Sequence, residues 1–167
     1  MYELKPLSRE AIPAALAKAE RYRLLNEADQ AESICEDILA ADPGNRDAQL
    51  VLILALTDKF PHGDGQLVAR AQTLVSRLEG AYERAYFGGL VAERRARAIL
   101  DRGGPNRLTS ARDWMHEAMQ HYEQAEATRP AGNDDARLRW NACARTLNGL
   151  PVRPVAEDEP ALPVMLE

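Results

Sequence analysis

The sequence predicts an all-α protein, and three observations carry the prediction. Alanine supplies 28 of the 167 residues, against 7 Val, 5 Ile and 5 Thr, and aromatic residues make up 5%. That composition favours helix and is short of the β-branched and aromatic side chains that pleated strands prefer. Apolar residues recur at helical spacing through most of the chain. Between Ala14 and Leu150 only four prolines occur, Pro43, Pro61, Pro105 and Pro130, each beside Gly, Asn or Asp or just past a helical pattern. A chain of this length makes one domain and buries roughly 70% of the surface its unfolded form exposes.

The first helix is expected over about Pro13–Leu25, with Pro13 in its first turn and a stripe of Leu16, Ala19, Tyr22 and Leu24–Leu25. Asn26-Glu27 breaks it. A second helix, about Ala28–Ala40, carries Ala31, Ile34, Cys35, Ile38 and Leu39 on one face and ends at Asp42-Pro43-Gly44-Asn45. A third, about Arg46–Lys59, holds the run Leu50–Leu56 and belongs in the middle of a structure. After a loop at Phe60–Gly65, a fourth helix is expected over Gln66–Glu79, ending at Gly80, and a long fifth over Ala81–Leu100. A loop at Asp101–Leu108 leads to a sixth helix, capped by Thr109 or Ser110 and running to about Thr128. Asp134 or Asp135 opens a seventh, with Asn148-Gly149 as its C-terminal signal. Residues 1–8 form a lead segment, 9–148 the helical domain, and 149–167 a Pro-rich acidic tail expected to be disordered.

Basic residues number 21 and acidic residues 26, a net charge of −5. No basic stripe appears, so nucleic acid is not an expected partner. The acidity is uneven. In residues 151–167 a single Arg faces four carboxylates, a net −3, which leaves −2 to the other 150 residues. No run approaches the 18 apolar residues of a membrane span, and the first residues lack the order of a signal peptide, so a cytoplasmic location is expected.

An internal repeat links the second and sixth helices. Ala31-x3-Cys35-x2-Ile38-x4-Pro43 has the same spacing as Ala118-x3-Tyr122-x2-Ala125-x4-Pro130, and Ala71, Val75 and Leu78 fit its first three positions. Downstream of each proline, Gly44-Asn45-Arg46-Asp47-Ala48 resembles Gly132-Asn133-Asp134-Asp135-Ala136. This pattern resembles the second half of a tetratricopeptide repeat (TPR), with Ala19 and Tyr22 at the first-half small and aromatic positions and Gly89 as the small residue of the fifth helix. The resemblance covers about residues 9–148. It implies a right-handed α-α superhelix of about three helix pairs plus a C-terminal capping helix, with the first helix of each pair lining a concave groove.

Carried over position by position, the resemblance places Leu16, Glu20 and Arg23 in that groove, then Asp47, Leu50, Leu54, Thr57 and Asp58, then Glu83, Tyr86, Phe87, Leu90, Glu93 and Arg94. Such a groove has an apolar floor and mixed charge, although the Leu50–Leu54 stretch also reads as occluded core. The family's Lys/Asn/Arg clamp for chaperone carboxylates is absent, since the matching positions include Leu16, Glu20, Val51, Glu83 and Phe87. Outside the groove, Arg84, Arg94, Arg95, Arg97 and Arg102 form a candidate basic patch, or a solvated face alternating with Glu83, Glu93 and Asp101. The acidic tail, Glu157-Asp158-Glu159 followed by apolar residues, reads as a loose end or as a docking segment.

Other residues read as structural. His116 and His121 lie five apart, about 140° around a helix, not the four apart of a zinc-protease pair, so no metal is expected. Gly103 and Gly104 lack the ending of a phosphate loop. Cys35, Cys143, Trp114 and Trp140 fall on apolar stripes and read as core. No nucleophile–base pair or cofactor loop stands out. The expected function is a non-enzymatic protein-protein interaction module, an adaptor or scaffold binding a peptide or helix of another protein in the groove, without cofactor or metal. The alternative is a self-associating structural protomer.

Overall fold

The computed structural model describes residues 2–63 and 65–151. Among these there is no strand: a 3-10 turn (Arg9–Ala11) precedes helices α1 (Ile12–Leu24), α2 (Ala28–Ala41), α3 (Arg46–Asp58), α4 (Gly65–Ser76), α5 (Ala81–Arg102), α6 (Arg107–Ala127) and α7 (Asp135–Gly149). The all-α class and the number of helices match the sequence expectation. Most of the expected tail, 152–167, lies outside the described residues. No described helix is long and apolar enough to cross a membrane.

Each helix packs on the next in the chain, and the odd-numbered helices also pack on one another, α1 on α3 and α3 on α5. The α5–α6 interface is the most extensive. The core has two parts. One joins α1 through α5 around Cys35, Ile53, Leu56, Phe60 and Val91. The other joins α5 through α7 around Ala92, Ala96, Met115, Tyr122 and Cys143. Trp114 packs against both, and Trp140 against the second, donating its Nε1–H to Glu123 at 3.0 Å. Both cysteines are fully buried, and burial, with nearby carboxylate charge, pushes each thiol up to about 12. At neutral pH they are protonated apolar fillers.

The repeat spacing marks buried positions. Ala31, Cys35 and Ile38, then Ala71, Val75 and Leu78, then Ala118, Tyr122 and Ala125 are all buried, as are Ala19 and Gly89. The small members let helices approach. At Gly89 the approach is close: a Cβ there would stand 2.7 Å from Cε1 of Tyr122.

Helix ends depart from expectation where tertiary contacts decide them. Helix α5 runs on to Arg102, whose guanidinium reaches down to the carbonyls of Phe60, Pro61 and Gly63 and so fastens its end to the α3–α4 turn. Helix α4 stops at Ser76 rather than Glu79, and the carbonyls of Leu78 and Glu79 accept from Nη1 of Arg84, both at 2.6 Å. Neither Thr109 nor Ser110 caps α6. The helix begins earlier, after Asn106, which takes the left-handed conformation (φ 60°) that Asn tolerates better than most residues. The expected Asp101–Leu108 loop therefore shrinks to residues 103–106, between the ends of α5 and α6. The third helix is capped as its sequence suggests: the Asn45 side chain accepts from the Ala48 N–H at 3.0 Å.

Glu32 ties three helices. From α2 it accepts from Lys59, just past α3, at 2.8 Å, and from Arg70 of α4. Burial alone would raise its pKa, but the hydrogen bonds and charges of Lys59 and Arg70 outweigh it and hold the carboxyl below its ordinary 4.5. A depressed carboxylate pKa contributes stability that is complete above the ordinary value and is lost as pH falls through the folded one. Glu32→Gln is accordingly expected to cost about 1 kcal/mol at pH 7, the scale of a well-formed, partly buried ion pair. Urea unfolding at pH 7 and below pH 4 checks this: the gap to wild type closes in acid. A pH-independent gap would show that packing, not charge, is what the substitution removes.

Candidate functional site

A cleft of about 610 Å³ is lined wholly from the odd-numbered helices and two turns beside them. Helix α1 gives Arg23 and Leu24, α3 gives Thr57 and Asp58, α5 gives Glu93, Arg94, Arg97, Ala98 and Asp101, and α7 gives Arg139. Asn26 and Pro61 come from the α1–α2 and α3–α4 turns. These side chains of alternate helices meet at one cleft.

Two carboxylates organise the lining. Asp58, at the end of α3, accepts from Nε of Arg23 at 2.6 Å and from Nη1 of Arg94, so one carboxylate ties α1, α3 and α5. Glu93 is buried, only 1% exposed, an unusual position for a charge. It is fully partnered: it accepts from the Tyr122 hydroxyl at 2.8 Å, from Arg97 Nε at 3.1 Å and from Arg139 Nη1 at 3.5 Å, and it is ion-paired with Arg97 Nη2 at 3.0 Å. Burial, with the Glu93 charge beside it, pushes the Tyr122 phenol well above its ordinary range, so the hydroxyl stays protonated and donates. For Arg139, burial works against the charged form but is outweighed by Glu93 and by the Tyr86 hydroxyl, which hold the guanidinium above its ordinary value.

Four arginines thus face three carboxylates in the cleft, Asp58, Glu93 and Asp101. The outer guanidiniums remain accessible, with side-chain exposures of 49% for Arg97 and 39% for Arg139. The one hydroxyl in the lining, Thr57, donates to the Leu54 carbonyl at 2.7 Å. Chemically the arrangement presents fixed positive charge against a neutralised floor, with Leu24, 80% exposed, at its edge. Guanidiniums in this setting recognise carboxylates or other oxyanions by paired hydrogen bonds.

The structure brings five of the sequence-derived groove residues together here: Arg23, Thr57, Asp58, Glu93 and Arg94. The others lie elsewhere. Leu90 is 1% exposed, while Leu16, Leu50 and Phe87 are partly buried and pack on the first core. Tyr86 packs on the second core, stacked on Tyr82 with ring centroids 5.8 Å apart. Leu54 is half-buried, while Glu20 and Asp47 are exposed. Glu83 is paired with Arg46. The five patch arginines do not share one surface: Arg94 and Arg97 enter the cleft, Arg84 and Arg102 hold carbonyls at two separate turns, and Arg95 leaves its buried Nη1 without a hydrogen bond.

Sequence reasoning missed Arg139, Asp101 and Tyr122 as parts of this site. A usable signal existed for Arg139. Ala48 and Ala136 are aligned by the repeat, both are buried, and Ala55 and Cys143 then align as a second buried pair. Treating α7 as an odd helix of the same array, rather than as a cap, points to its inner face. His116 is exposed, and among the described residues no group of three or more His, Cys, Asp or Glu is placed to hold a metal. In comparisons with known proteins, the chain matches no family model, no curated protein and no solved structure.

Proposed function

We propose that the chain is a non-enzymatic interaction module of the tetratricopeptide-repeat type, which holds a carboxylate-bearing peptide of another protein in the arginine-lined cleft of its odd helices. The single observation that carries this reading is the origin of the cleft: apart from two flanking turns, every lining residue comes from α1, α3, α5 or α7. A stack of helix pairs presents the first helix of each pair on one side, and proteins built this way bind extended partners there. The repeat reading is supported further by the three buried Ala-x3-large-x2 sets and by the packing of α1 on α3 and α3 on α5. A superhelical twist and a cytoplasmic setting go with the same reading. Self-association through apolar faces has less behind it. Among the described residues the large exposed hydrophobics are Tyr2, Leu4, Leu24, Leu25 and Leu138, and scattered surface apolar residues are ordinary.

The test is a peptide array bearing acidic, neutral and basic segments of equal apolar content, probed with the full chain and with Arg23→Ala/Arg97→Ala. Acidic segments are expected to bind best, with at least a tenfold loss in the double variant while its helical circular dichroism is retained. No charge preference, or equal binding by the variant, overturns the reading.

A further inference from the structure

The cleft stands close to an acidic segment of its own chain. Helix α7 carries Arg139 into the cleft and ends at Gly149, where Arg112 of α6 holds the carbonyls of Leu150 and Pro151. From Arg139 to Gly149 is ten residues of helix, about 15 Å along the axis at 1.5 Å each. From Pro151 to Glu157 is six residues, which reach up to about 20 Å when extended. Residues 152–167 lie outside the described structure, but their tether point and composition are known. The segment holds Glu157-Asp158-Glu159, then Pro160, Leu162, Pro163, Val164, Met165 and Leu166.

The match is one of charge and order. The cleft offers one more arginine than carboxylate, with exposed Leu24 at its edge. The segment offers three consecutive carboxylates followed by apolar residues, and carries a net −3 with Pro151 included, more than half of the chain's −5. Given the cleft as a peptide site, as proposed above, we infer that its resident occupant is this chain's own segment 152–167, bound in cis, with Glu157-Asp158-Glu159 against Arg97, Arg139 and Arg23. A tethered segment competes at an effective concentration in the millimolar range. An outside partner therefore gains access only by displacing the segment, and the tail sets the threshold for binding.

The experiment compares the full chain with a full-length variant whose tail is neutralised, Glu157→Gln/Asp158→Asn/Glu159→Gln. The probes are two fluorescent synthetic peptides, residues 152–167 and a scrambled peptide of the same composition, read by anisotropy at low and high salt. Both peptides are expected to bind the neutralised variant at least tenfold more tightly than wild type, with salt weakening both. Adding Arg97→Ala to the neutralised chain is expected to reduce that binding at least fivefold while the thermal unfolding transition is retained. If wild type and neutralised chain bind the peptides equally well, the cis occupant is overturned and the cleft reading stands. If the gain appears but wild type self-associates in light scattering and the variant does not, the tail acts in trans and the cis assignment is overturned. If neither chain binds either peptide, the cleft reading falls together with the occupant.

Discussion

Glu93→Ala is expected to destabilise the protein by about 3–5 kcal/mol, the scale found when one member of a buried, hydrogen-bonded charge set is removed. The carboxylate is 1% exposed and accepts three hydrogen bonds, from one side chain on each of three helices. Without it the Tyr122 hydroxyl, itself buried, loses its acceptor. Arg97 and Arg139 are left as like charges beside Arg94 with no counter-charge between them. In a chain of this size the loss lowers Tm by roughly 10 °C. Glu93→Gln keeps the shape and one acceptor oxygen but not the charge, and is expected to cost less. Tyr122→Phe is expected to cost about 1–3 kcal/mol, the range for leaving a buried polar partner unmatched. A double-mutant cycle between the two sites, followed by urea unfolding, is expected to show a coupling above about 0.5 kcal/mol. A loss below 1 kcal/mol for Glu93→Ala would refute the view that this carboxylate organises the junction of α5, α6 and α7.

Gly89→Ala is expected to destabilise, although helix propensity alone argues the reverse. Ala in a helix interior is favoured over Gly by about 1 kcal/mol. Here the added methyl would meet the Tyr122 ring, with Cε1 at 2.7 Å and Cδ1 at 2.8 Å. The ring cannot swing away, because it is buried and its hydroxyl is fixed on Glu93. Overpacking of this kind costs about 1–3 kcal/mol and occasionally more, so the net effect is a loss of up to about 2 kcal/mol. Gly88, one position earlier, is the control. A methyl there would stand 3.1 Å from Nδ1 of His121, a half-buried side chain with more room to shift. Gly88→Ala is therefore expected to be much milder, and thermal unfolding of the pair decides the matter. Equal effects at the two positions would refute the close α5–α6 approach.

The class of fold was legible because it depends on local signals. Alanine spacing, proline placement and turn residues identified seven helices, and the spacing of Ala31, Cys35 and Ile38 picked out positions that the structure buries completely. Helix ends were less legible where a distant side chain decides them. Nothing local to Leu100 tells that Arg102 will fasten the helix end to the Phe60–Gly63 turn. The site was legible in half. Arg23, Asp58, Glu93 and Arg94 follow from repeat position, but Leu50, Phe87 and Leu90 do not line it. Those apolar side chains are buried or pack against the core, while the charged positions line the cleft. Tyr122 stands in the sequence only as a repeat position, and its second role depends on a carboxylate 29 residues away.

Helix α5 belongs to both halves of the core. Val91 and Ala98 close the first cluster, while Ala85, Ala92 and Ala96 close the second. Its consecutive residues Glu93 and Arg94 are pinned respectively to the α6–α7 side and, through Asp58, to the α1–α3 side. Stacks of helix pairs ordinarily unfold piecemeal, because each pair contacts only its neighbours. Here the shared helix sets a limit on that behaviour. Neither half can lose α5 without exposing the core of the other, so the amides in the middle of α5 are expected to exchange with solvent only on global unfolding, which native-state hydrogen exchange checks.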